Sequence, residues 1–137
     1  MKISDCLKAV GVALATLVIT ITASFPMVAY YAYIIEPGHE QEFYVEAAQW
    51  IAPWSSHILG PITFFVFNYW LARKSPERNA RVFALVTILA YLVIDLGSVP
   101  AMGGDITVFL TVAAACWIAL KLAGAMLGAY LSERAQN

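Results

Sequence analysis

The chain has 137 residues, of which 61% are hydrophobic and 12% charged, and its mean hydropathy is +0.74; a soluble domain carries about 25% charged residues. One domain is the expectation at this length, and a water-soluble fold cannot bury so much apolar surface. The net charge of −1 leaves no basic excess to neutralise phosphates, so no nucleic-acid partner is expected.

Four apolar stretches, at about 9–35, 50–72, 82–99 and 106–131, each approach or exceed the roughly 20 residues needed to cross a bilayer. Runs of this length without strand alternation satisfy their backbone amides internally only as helices. The expected fold is therefore all-α: an integral membrane four-helix bundle with a short extracytoplasmic amphipathic helix, in one four-span domain covering residues 1–137. Lys2 and Lys8 precede the first stretch. Its apolar character outlasts the 7–15 residues or so of a signal-peptide core, so it is read as a retained span. Thr16, Thr20, Ser24, Met27 and Tyr31 form a stripe suited to helix packing. Pro26 is expected to kink the helix that carries them.

Tyr30, Tyr31 and Tyr33 mark a membrane boundary, which Trp50 and Trp54 mark again at the start of the second span. Between them Phe43, Ala47, Trp50 and Trp54 recur at helical spacing, as in a short surface helix running into that span. His39, Glu42 and Glu46 fall at i, i+3 and i+7, a spacing that offers imidazole and carboxylate ligands to a divalent cation, although an ordinary solvated acidic face has the same pattern. Glu36, Glu40 and, from the later connector, Asp105 add to that acidic side. In the second span His57, Gly60, Phe64 and Asn68 share an inward face, and Gly60–Pro61 predicts a kink.

Arg73, Lys74, Arg78 and Arg81 lie between the second and third spans, and Arg134 follows the fourth. The connectors 36–49 and 100–105 hold no Lys or Arg. The positive-inside rule then puts both termini and the 73–81 turn in the cytoplasm, and the cytoplasmic (inner) membrane is the expected location. The third span offers Ala84, Thr87, Tyr91, Asp95 and Ser98 at i, i+4 spacing; the fourth offers Thr107, Thr111, Ala114, Lys121, Gly124 and Gly128. Gly124 and Gly128 form a GxxxG pair that serves either a neighbouring span or a second copy of the chain.

Ionisable groups within spans are the candidate site, because a charge at the bilayer centre costs roughly 2.5–3.5 kcal/mol on insertion scales. His57 lies about 10 Å down its span from Trp50, and Asp95 about 21 Å along its helix from Arg81, so both fall in the outer third. Three readings compete: a proton or cation site, a hydrogen-bonded pair fixing helix register, and an Asp95 exposed in an aqueous dimple. Tyr91 and Asn68 complete the candidate ion or proton site. Lys121, some 22 Å inward from Ile106, is expected to snorkel toward the cytoplasmic interface rather than meet Asp95.

Cys6 and Cys116 form no CxxC pair, and no phosphate-cradling glycine loop, HExxH or second intramembrane histidine for haem ligation is present. Ser55, Ser56 and His57 adjoin, but neighbours on a helix point apart, which argues against a Ser–His dyad. No cofactor is expected and enzyme function is disfavoured. The expected function is oligomeric ion- or proton-linked transport or conduction through the His57/Asp95 level; the alternative is a non-catalytic accessory or assembly subunit that binds other membrane proteins. Expected partners are the lipid bilayer and a homo-oligomer or a partner membrane protein.

Overall fold

A computed structural model describes residues 2–101, 107 and 111–136. The described residues form four helices and no strand: α1 (Ile3–Tyr30), α2 (Gln41–Lys74), α3 (Ala80–Ala101) and α4 (Val112–Arg134). Asp105 and the expected start of the fourth span at Ile106 lie outside the described residues. Three segments are long and apolar enough to cross a membrane: Ile3–Ile35, Ala80–Ser98 and Val112–Arg134. The second span expected from sequence is not among them, since α2 carries His57, Asn68, two serines and two prolines within its apolar run.

Short polar signals set the helix ends. Asp5 accepts the Lys2 amide at 3.0 Å, satisfying a donor that has no partner within the first turn of α1. The helix passes through Pro26 and ends in a π-helical segment, Tyr31–Ile35, whose bond from the Glu36 amide to the Tyr31 carbonyl is 2.9 Å. The chain then reverses at Gly38, whose φ of 91° lies in the left-handed region open to glycine. Tyr44 pins this reversal: its hydroxyl donates to the Glu36 carbonyl at 2.8 Å and accepts from the His39 amide at 3.1 Å. Asn79 caps α3 by accepting from the Val82 amide at 3.1 Å, and Thr111 caps α4 by accepting from the Ala114 amide at 3.2 Å.

Residues 41–49 form the opening turns of α2 and run without a break into the Trp50–Ala72 region, as the helical spacing of Phe43, Ala47, Trp50 and Trp54 expects. One boundary differs from the sequence reading. The fourth helix starts at Val112, behind the Thr111 cap, because a hydroxyl that satisfies the first turn fixes a start that apolar composition does not mark.

The helices pack round a ring: α1 on α2, α2 on α4, α4 on α3 and α3 on α1. Consecutive α2 and α3 thus stand opposite each other and meet only across the middle. The expected stripes face inward where they cross this ring: Thr16, Thr20 and Ser24 on α1, and Ala84, Thr87 and Tyr91 on α3, are buried with Phe64 and Phe83. On α4, a Cβ at Gly124 would collide with the Pro61 carbonyl and one at Gly128 with the Phe65 carbonyl. The glycine pair therefore serves contact with α2 of the same chain. At the basic end the Arg78 guanidinium bonds Asp5 at 3.3 Å and the Leu71 carbonyl at 2.9 Å, and lies 3.6 Å over the Phe83 ring. Arg81 pairs with Glu133 at 2.9 Å, so the same end links α1 to the α2–α3 turn and α3 to α4.

Candidate functional site

The polar centre of the molecule is built around Lys121. Its side chain is 6% exposed and crosses from α4 into the ring beside Gly60, where an added Cβ would sit 2.8 Å from Lys121 Cε. The absence of a side chain at Gly60 opens that passage. The ammonium donates to Ser56 Oγ at 2.9 Å and to the Tyr91 hydroxyl at 2.9 Å, and lies 4.6 Å from the Tyr91 ring centroid. Ser56 Oγ and the Tyr91 hydroxyl are themselves 3.2 Å apart. Asp95 lies one helical turn beyond Tyr91 and is near enough to act electrostatically on the Tyr91 hydroxyl and the Lys121 ammonium.

These groups have a consistent donor order. An ammonium only donates, an ionised carboxylate only accepts, and a phenol does both. Tyr91 accepts from Lys121, and its own hydroxyl hydrogen has Ser56 Oγ at 3.2 Å and the Asp95 carboxylate one turn on as acceptors to choose between. Pro61 has no amide hydrogen to offer the His57 carbonyl one turn back, so an acceptor is freed beside Ser56. Thr63 satisfies the adjacent Leu59 and Gly60 carbonyls at 3.0 and 2.9 Å.

Lys121 does not snorkel. Because α4 begins at Val112, Lys121 lies only about 14 Å into the helix rather than some 22 Å from Ile106, which brings it level with Tyr91. It shares a face with Gly124 and Gly128, the face that packs on α2, and that placement on the helix was the signal for its inward direction. Ser56 belongs to the cluster although its neighbour His57 does not, because residues 100° apart on a helix face different neighbours.

His57 and Asp95 are not bonded to each other. His57 turns toward α4, where its ring stacks on Trp117 with centroids 4.2 Å apart and an interplanar angle of 3°, while Trp54 closes edge-on at 6.1 Å. Its Nδ1 is buried without a hydrogen-bond partner among the described residues. The helix face explains the separation: His57 is turned to Trp117 on α4, while its neighbour Ser56 is the residue of this turn that meets α3 at Tyr91. Asn68 is buried, but it lies about 18 Å along α2 from Ser56 and donates to the Phe64 carbonyl of its own helix at 2.8 Å, so it is not part of the Lys121 cluster.

The acidic connector is not assembled as a cation site. Among the described residues no three His, Cys, Asp or Glu side chains come together. His39 precedes the start of α2 at Gln41, so the i, i+3, i+7 face does not extend to it; its ring stacks on Phe43 at 4.1 Å and its Nε2 meets Glu36 at 3.3 Å. No protein-family model, characterised protein or solved structure matches the chain.

Proposed function

We propose that this chain is an integral membrane four-helix bundle that carries out proton-linked transport or conduction, with Lys121, Tyr91 and Asp95 as its proton site. The observation that carries the reading is the buried Lys121 ammonium held by two hydroxyls, with a carboxylate one turn further on. A lysine buried for packing alone is poorly explained, because an apolar side chain of similar length fills the same space without desolvating a charge. The site thus moves from the His57/Asp95 pair to a relay in which His57 stands alongside.

The same reading has α2 as the fourth span, with the 36–49 connector outside and both termini in the cytoplasm, supported by the gathering of Lys2, Lys8, Lys74, Arg78 and Arg81 at one end. An oligomer supplies the solute path that four packed helices have little room to hold.

The test is reconstitution of the full chain into liposomes containing a pH-sensitive dye, with an imposed pH gradient and a potassium diffusion potential. Wild-type protein should dissipate the gradient faster than empty liposomes, and Asp95→Asn should return the rate to that of empty liposomes. Wild-type vesicles no leakier than empty ones would overturn the proposal and favour an accessory subunit, which would co-purify with a different membrane protein.

A further inference from the structure

The basic end holds a cavity of about 690 Å³ between the start of α1 and the turn joining α2 to α3. Lys2, Lys8, Lys74 and Arg78 line it against Asp5 and Glu77, four positive and two negative charges, for a net +2. Asp5 is already engaged by Arg78 and by the Lys2 amide, so its charge is neutralised within the wall. The first turns of α1 and α3 border the same space, capped from within the chain by Asp5 and Asn79.

The Arg78 side chain is 6% exposed and lines this cavity, held by Asp5, the Leu71 carbonyl and the Phe83 ring, so its charge is fixed in the wall. The serine hydroxyls of Ser4 and Ser75 add neutral donors at the rim.

We propose that this cavity binds a phosphate group carrying one net negative charge, in particular the phosphodiester of an anionic phospholipid. Lys8, together with Lys74 once its ammonium swings off the Trp70 ring on which it rests at 3.7 Å, neutralises the phosphate oxygens, and Arg78 fixes the back wall. A cavity beside the first turns of membrane-crossing helices opens at headgroup level, where a lipid phosphate is the most concentrated source of this chemistry. The site is at the opposite end of the helices from Asp95 and does not depend on the relay.

The full-length protein is purified in a neutral detergent and offered phosphatidylglycerol, phosphatidylcholine or inorganic phosphate, with retained lipid read by native mass spectrometry and phosphate by titration calorimetry. Preferential retention of phosphatidylglycerol supports the lipid source; binding of inorganic phosphate alone supports the site with a soluble phosphate as its ligand. Lys8→Gln/Lys74→Gln, which leaves Arg78 and its ion pair intact, should weaken binding about thirty-fold. Equal retention of the two lipids with no phosphate binding would overturn the proposal, as would unchanged affinity in the double variant.

Discussion

Arg78 and Lys121 are both buried cations, but their surroundings differ in kind. Arg78 meets a carboxylate, a backbone carbonyl and an aromatic face, all within 3.6 Å. Lys121 meets two hydroxyls, while its carboxylate stands a turn further off. A planar fork against fixed acceptors makes a fastening, and Arg suits that because its charge is permanent. An ammonium on hydroxyls that both accept and donate is the arrangement the proposed proton site needs, and Lys suits it because it can release a proton. The difference teaches that burial of a charge does not by itself mark a functional site; the chemistry of its partners does.

The largest expected effect on stability is at the fastening. Arg78→Met removes the guanidinium that bonds Asp5 and the Leu71 carbonyl and lies over the Phe83 ring, and should lower the unfolding temperature by several degrees. Thermal unfolding of the detergent-solubilised protein measures it. An unchanged unfolding temperature would mean that Arg78 does not hold the α2–α3 turn to α1.

Much of this arrangement is legible in the sequence, and the failures have specific causes. The inward faces of α1 and α3 follow from i, i+4 spacing of Thr16, Thr20 and Ser24 and of Ala84, Thr87 and Tyr91, because helical period alone sets which side chains share a face. Axial position is a different quantity. The apolar run around the fourth span gives no start point, and placing the start at Ile106 rather than behind Thr111 carried Lys121 roughly two turns too far. Pairing between helices is harder again: the rise per residue puts His57 and Asp95 at a similar depth, but His57 faces α4 while its neighbour Ser56 meets Tyr91, and a single chain's pattern does not tell which helix a face will meet. The GxxxG pair was equally silent on its partner until the Pro61 and Phe65 carbonyls appeared against it.

A smaller effect tests how Lys121 enters the centre. Gly60→Ala introduces a methyl group 2.8 Å from Lys121 Cε, so the lysine stem must move aside. The strain should amount to about 1–2 kcal/mol, and gradient dissipation should fall with it because the ammonium is drawn off Ser56 and Tyr91. Alanine in place of Gly97, which has nothing within 4 Å of the added methyl, is the control for helix propensity. Equal behaviour of the two variants in the flux assay would show that the position of the lysine stem does not matter.

The smallest expected effect on stability is the most informative. Lys121→Met keeps nearly the volume of the side chain, one atom shorter, and removes the ammonium, so Ser56 and Tyr91 remain bonded to each other at the centre. Replacing a buried charge by an apolar isostere is commonly neutral or stabilising, so the unfolding temperature should hold or rise. Proton flux should fall to the level of empty liposomes. This separation of stability from activity is what distinguishes a proton carrier from a fastening: if Lys121 served the fold as Arg78 does, the methionine variant would lose stability by a similar margin, and the distinction between the two cations would fail.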